Sequence, residues 1–345
     1  IMAYTTINKS TDYFNTKLYT GTGSSNAISG VGFKPDLVWS KARSEARGHN
    51  LNDIVRGASK WIGANDTSAE QTVAQGITSF DSDGFTVGTG NDVNKNTITF
   101  ASWNWLAGGS QGSSNTDGSI NTTYTSVNTT AGFSISKYTG TGSNATVGHG
   151  LGVAPKMIIF KRLDSADDWT IYHTSLGATN KIDLNNTGAT SAVTSVFNNT
   201  APTTSVMSVG TNGRTNASSG TYVAYAFAEK TGYSKFNSWQ GNSNVDGAFI
   251  YCGFKPSFVL WKNSETGESW GMVDAVRDTD NVVRQMNNAN TSSTESTQTA
   301  IMDFVSNGFK IRWHDGNING TNQKHIFMAF GQSLVGSNNV PCTAR

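Results

Sequence analysis

A chain of 345 residues with 25 Lys and Arg against 24 Asp and Glu carries a formal net charge of +1. That balance argues against a nucleic-acid partner, because a basic excess supplies most of the affinity for a phosphate backbone. Only 14% of the residues are charged whereas Gly numbers 37, a mixture that suits many short strands joined by tight turns. Disorder is excluded by 9 Trp, 10 Tyr and 17 Phe, enough to fill several small cores. No run of about 18 apolar residues occurs, so no membrane insertion is expected.

The opening IMAYTTINKS has neither the basic nor the apolar stretch of a signal peptide. Met2 reads as the natural start, and residues 1–13 read as an N-terminal arm. The first repeat follows over 14–108 and contains KLYTGTGSSNAISGVGFKPDLVWSK. In it Pro35 precedes a short apolar run, as befits a strand's first position, where no ladder donor is needed. Lys41 stands six residues beyond that proline and reads as an exposed charge that discourages edge pairing. The segment TSAEQTVAQGI (67–77) is the best candidate for a helix, of one or two turns. ITFASWNW (98–105) closes the copy as a strand.

Residues 109–131 are rich in Gly, Ser, Asn and Thr and read as a flexible linker that decouples copy one from the rest. The second repeat, 132–230, contains SKYTGTGSNATVGHGLGVAPKMIIFK around Pro155 and Lys161 and closes on TYVAYAFAEK. The third, 233–333, contains FNSWQGNSNVDGAFIYCGFKPSFVLWK around Pro256 and Lys262 and closes on KHIFMAFGQS. Almost nothing separates these two, so they are expected to move as one body. Residues 334–345 form a C-terminal tail. The three prolines lie 120 and 101 residues apart, a spacing of tandem globular domains and not of a solenoid. The expected fold is all-β: three tandem β-sandwich domains of jelly-roll-like type. Counted from proline, Trp39 falls one position before Phe160 and Trp261. A one-residue offset flips a side chain across the sheet, so Ser40 should share their column unless a bulge intervenes.

Catalytic constellations are hard to find. YTGTGS (19–24 and 138–143) lacks the Lys and the following helix of a phosphate-binding loop and reads as a hairpin turn. His49, His149, His173, His314 and His325 show no metal-ligand spacing. No GxSxG occurs and no two carboxylates stand out as an acid/base pair, so neither enzymatic activity nor a cofactor or metal is expected. Cys252 reads as a buried small hydrophobe, and with Cys342 the only other cysteine, a disulfide framework is not expected. Asp53 with Arg56, and Asp274 with Arg277, read as structural ion pairs that pin a loop; copy two has His173 at that place and no Arg. Trp39, Trp103, Trp261, Phe160 and Phe227 fall on strands and are assigned to the core. Trp61, Trp105, Trp239 and Trp313 are less regularly placed, near loops. They are the candidates for glycan binding, in which an exposed ring stacks on the sugar while neighbouring amides read its hydroxyls.

Three stretches carry a family likeness: the opening AYTTINKSTDYFNTKLYTGTGSSNAISGVGFKPDLVWSKARS, the middle TAGFSISKYTGTGSNATVGHGLGVAPKMIIFKR with YVAYAFAEKTGYSKF, and the closing SNGFKIR and VPCTAR. Together they resemble an uncharacterised virion-associated protein family of marine tailed bacteriophages, over essentially the whole chain. The resemblance implies a non-enzymatic virion structural protein: a tail or head fibre or adhesin, or a capsid decoration protein. It would be assembled in the host cytoplasm and exposed on the particle exterior. Implied partners are other virion proteins, further copies of the chain (a trimer) and host cell-surface glycans. No site residue carries over from it. The arm over 2–13 would anchor the chain to the particle and be dispensable for folding. Two alternatives stand beside this reading. One is a soluble lectin-like carbohydrate-binding module; the other is a glycan depolymerase, which would need two carboxylates facing each other across a groove.

Overall fold

The computed structural model describes residues 4–336. Its regular structure is almost entirely antiparallel β, and each of its four α-helices is a single four-residue turn. Every copy builds an inner sheet in the same order. In copy one it runs Phe14–Thr20, Thr99–Trp105, Leu37–Ala42, Asn50–Asp53. In copy two the equivalents are Phe133–Thr139, Thr221–Phe227, Met157–Arg162 and Thr170–His173. In copy three they are Ser234–Gln240, Lys324–Gln332, Lys255–Asn263 and Gly271–Asp274. A short outer layer covers one face of each inner sheet, for example Asn26–Ser29, Gly84–Val87 and Ile77–Asp81 in copy one.

Each central strand is apolar on both faces because each face meets a different core. Side chains alternate across a strand. Val38, Ile158 with Phe160, and Val259 with Trp261 point outward into a private core under the outer layer of their own copy. Leu37 with Trp39, Met157 with Ile159, and Phe258 with Leu260 point the other way and join one cluster drawn from all three copies. Trp105, Phe227 and Phe330 pair with Leu37, Met157 and Phe258 respectively and so occupy one repeat column. Their rings meet pairwise at 6.4, 5.9 and 6.1 Å. The copies therefore close around a pseudo-threefold axis rather than following one another as separate beads.

The register reading from the prolines holds. Ser40 pairs with Ser102 where Phe160 pairs with Ala224 and Trp261 with Phe327, so Ser40 shares the column of the two aromatics. The motif YTGTGS also gains a reason. The Oδ1 of Asn94 in the one-turn helix Asn91–Asn94 accepts the Thr22 N–H at 2.9 Å, and Asn216 and Asn319 repeat this with Thr141 and Asn242.

Several expectations are corrected. Residues 109–131 are not a decoupling tether: Tyr124–Asn128 pairs with Phe133–Thr139, Ser113 bridges Thr125, and Ile120 bridges Val147. The path requires Gly112, at φ +78°, where a Cβ would lie 1.9 Å from the Thr125 carbonyl oxygen. Copy one is also tied down at Asp36, whose buried carboxylate accepts the Gly109 N–H at 2.7 Å.

Segment 67–77 is not helical. Its backbone donors go elsewhere: Glu70 N–H to the Leu163 carbonyl of copy two and Val73 N–H to the Ser59 carbonyl. Gln71–Thr72 is a short strand. The arm is not free either, because Ile7 is buried in the shared core and Gln332 accepts the Ser10 N–H while donating to the Asn8 carbonyl.

Lys41, Lys161 and Lys262 are wholly buried, since the strand carrying each lies inside its sheet and not at an edge. Their ammonium groups are satisfied by carbonyls, including Ser292 of copy three for Lys41 and Thr67 of copy one for Lys161. Burial pulls all three down to about 8. Cys252 is buried, with its thiol pushed up to about 12, and Cys342 lies outside the described residues.

Candidate functional site

Polar groups that survive burial in a shared core have to be paired, and the repeat shows how each junction does it. Arg56 folds back on Asp53, Nε to Oδ2 at 2.5 Å, with both side chains fully buried. Arg277 repeats the geometry on Asp274. Each carboxylate then accepts a donor from the next copy: Asp53 from the Tyr225 hydroxyl at 2.6 Å and Asp274 from the Trp103 indole at 2.9 Å. At the third junction the column of Trp103 and Tyr225 is filled by Met328, which has no proton to give. Copy two accordingly carries His173. Its Nδ1 accepts the Ser175 N–H, so Nε2 carries the proton and donates to the Phe327 carbonyl at 3.1 Å. The substitution that looked irregular in the sequence follows from the partner's inability to donate.

A second ring of contacts runs the opposite way round. Trp169 donates its indole N–H to the Gly63 carbonyl at 2.7 Å, and Trp270 donates to the Asp183 carbonyl at 2.8 Å. The same position in copy one is His49, whose Nδ1 accepts from the Trp39 indole and whose Nε2 faces the Asn288 carbonyl at 3.1 Å. These donors sit one residue before the strands Asn50–Asp53, Thr170–His173 and Gly271–Asp274. Aligning the three copies at that column would have revealed them. They hold the copies together.

The four tryptophans singled out for glycan binding have different fates. Trp105 lies on the axis and is buried. Trp239 is buried against His325, with ring centroids 5.2 Å apart, and spends its indole N–H on the Ile318 carbonyl. Neither ring face is open to a sugar, and that expectation is corrected for both. Trp313 is half-buried against the private core of copy three. Trp61 is also half-buried, but it forms the wall of a cleft with Asn50, Asn52, Gln71, Ile77 and Asp92.

That cleft exists because copy one departs from its sisters. Asn50 and Asn52 point to the private side of their strand, opposite Leu51, which joins the shared core. At the position of Asn52 copy two has Tyr172, packed edge-on against Phe197 at 5.7 Å. Copy three has Val273, packed in a cluster with Met286 and Ile301. The amide of Asn52 thus stands where Tyr172 and Val273 fill the space elsewhere, whereas Asn50 shares its column with Thr170 and Gly271. Asn52 donates through Nδ2 to the Ala58 and Lys60 carbonyls at 2.7 and 3.1 Å, and its buried Oδ1 has no partner. Asn50 donates to the Asp92 carbonyl at 3.1 Å. Asp92 is ion-paired with Arg47 at 3.0 Å.

Among the described residues no three His, Cys, Asp or Glu side chains are grouped to hold a metal. The contacts define an all-β protein of three homologous copies fused around one core. Residues 9–333 match the model of a domain of unknown function, DUF7483, and the chain belongs to that family. No curated protein and no solved structure matches it.

Proposed function

We propose that the protein is a non-enzymatic structural component of a tailed-phage virion, an appendage or capsid-decoration protein carried on the particle exterior. The observation that carries this reading is the meeting of Trp105, Phe227 and Phe330 on the pseudo-threefold axis. Closed rings of identical subunits are a common way to build a rigid body with several equivalent faces. This chain reaches the same form with three covalently joined copies, so its closure does not depend on concentration. It also leaves each copy free to diverge, as the cleft in copy one illustrates. The outline suits a mount of threefold symmetry, and the chain itself supplies the threefold that an association of three chains would otherwise provide. The sequence resemblance to virion-associated proteins points the same way.

The test is gradient purification of the phage particles followed by mass spectrometry, with light scattering on the isolated chain. The expected result is co-migration of the protein with intact particles and the mass of one chain in solution. Its absence from particles after the gradient overturns the virion role; a stable trimer in solution overturns the single-chain reading.

A further inference from the structure

We infer that the outermost strand of copy three, Phe249–Tyr251, is a docking edge for an extended segment of a neighbouring protein on the particle, one carrying alternating apolar side chains and a carboxylate. The source of that partner rests on the virion reading; the edge itself does not.

Backbone pairing defines the edge. Phe249–Tyr251 is the last strand of its sheet and pairs with Gly308–Ile311 on one side only. The Ala248 carbonyl and the Cys252 N–H both point to that neighbour. By the alternation of an antiparallel ladder, the N–H and C=O groups of Phe249 and Tyr251 point the other way, where no strand follows. Copy two shows what fits such an edge. There Val147 stands in the column of Ile250, each buried in the private core of its copy. Its neighbour Thr146 is covered by the segment that crosses over from copy one. The Ile120 N–H goes to the Thr146 carbonyl at 2.9 Å, and the Ser119 hydroxyl accepts the Thr146 N–H at 2.9 Å. Among the described residues no such segment reaches copy three. Residues 228–233 alone join it to copy two, and they are taken up by a turn in which Tyr233 and Ser234 both donate to the Lys230 carbonyl.

The side chains mark the same edge. Phe249 and Tyr251 are 49% and 58% exposed, where copy one has Ala27 and Ser29 and copy two has Thr146 and Gly148. A solvated edge is normally blunted by small or charged residues, whereas aromatic rings are enriched where a partner covers them. Tyr4 of the arm brings a third ring: its hydroxyl donates to the Gly253 carbonyl at 2.9 Å, and the Tyr251 hydroxyl comes up against the same glycine. From there an apolar groove runs between Tyr4 and Leu334 and continues to Pro256 and Lys255. Pairing on the free edge would give the partner its hydrogen bonds, and the rings and the groove would select its apolar side chains. Charge sets the rest. Asp246 is matched by Lys310 at 2.8 Å, whereas Lys255 is exposed and has no ion pair among the described residues, so the partner's carboxylate belongs at that end.

The experiment uses particles assembled without the protein, incubated with the purified full chain and then sedimented. The wild-type chain should rebind, and hydrogen exchange across residues 248–253 should slow at least tenfold on the particle. Phe249→Ala with Tyr251→Ser, which installs the residues of copy one, should bind at least tenfold more weakly and melt as the wild type does. Failure of the wild-type chain to rebind overturns the virion reading and this inference with it. Rebinding with unchanged exchange at 248–253, or equal binding by a folded double variant, overturns the docking edge alone. Two other occupants would also overturn it. Slow exchange in the isolated chain that is relieved by deleting 337–345 assigns the edge to the chain's own tail. A dimer seen by light scattering for the wild type but not for the double variant assigns it to a second copy.

Discussion

Trp105 of copy one lies edge-on against Phe330 of copy three, ring centroids 5.9 Å apart, and Phe227 of copy two touches both. One column of the repeat thus converges from all three copies on a single point of the molecule. A core shared in this way cannot be dismantled one copy at a time, because opening any copy exposes apolar surface on the other two. Phe330→Ala should therefore cost about 3–5 kcal/mol, the usual range for an aromatic truncated in a packed core. The loss should appear as an earlier but still single transition in urea, with tryptophan fluorescence and far-ultraviolet circular dichroism superimposed. Two separated transitions, with copy one unfolding alone, would count against the shared core.

The indole donors between copies offer a subtler test. Trp270→Phe keeps most of the ring but removes the N–H that satisfies the Asp183 carbonyl. The expected loss is about 1–3 kcal/mol, the cost of leaving a buried acceptor unpaired. Trp169→Phe should lose a similar amount through the Gly63 carbonyl. A change within a few tenths of a kcal/mol in both, measured by thermal denaturation, would mean that the two contacts hold nothing.

Arg277 balances Asp274 in the interior, with both side chains out of contact with water. Arg277→Met strands that carboxylate and should destabilise by about 3–5 kcal/mol. The double variant Asp274→Asn with Arg277→Met removes the charge as well and should recover much of the loss. A double variant no better than the single one would show that the arginine acts through its packing and not through its charge.

Much of this was legible in the sequence. The repeat, the all-β class and the column of Ser40 follow from proline spacing and alternation, both local properties. The association of the copies was not legible, because an apolar run such as MIIF reads identically whether its second face meets its own copy or a neighbour. Lys41 misled for the same reason: a lysine after a strand is ordinarily solvated, and its burial is tolerable because its ammonium donates to the carbonyls of Ala42 beside it and of Ser292 far along the chain. Among the four tryptophans, Trp105 and Trp61 both follow polar residues in loop-rich surroundings. What separates them is that Trp105 shares a column with Phe227 and Phe330, whereas Trp61 stands where copy two has Lys181.

The N-terminal arm supplies a further check. Ile7 fills part of the shared core, and the two-way contact of Gln332 with Ser10 and Asn8 fastens the arm to the last strand. Deleting residues 2–13 should cost about 2–5 kcal/mol, the order for losing one large buried aliphatic side chain. The deletion should lower the melting temperature of the isolated chain by several degrees. An unchanged melt would restore the arm to the role of a detachable tether.

Acid should destabilise the whole fold through buried histidines, His49 and His173 at the junctions among them. Burial lowers His49 to about 3, with the charge of Lys41 acting in the same direction, and burial lowers His173 to about 4. In the unfolded chain both histidines bind a proton near pH 6.5. Between pH 6.5 and 4 the unfolded state therefore holds more protons than the folded one. The stability these rings provide is complete above pH 6.5 and is lost as the pH falls. At pH 5 the loss reaches about 2 kcal/mol per histidine. His149 and His325, also lowered by burial, act in the same sense. Asp36 works against them, since burial raises it to about 6 and the folded state keeps its proton longest; it returns roughly 1 kcal/mol at pH 5. The net expectation is a urea midpoint clearly lower at pH 5.0 than at pH 7.5. His173→Gln retains an N–H for the Phe327 carbonyl but cannot titrate, so it should shrink the difference between the two midpoints by a third or more. An equal difference in wild type and variant would remove His173 from the account and leave the acid sensitivity to other groups.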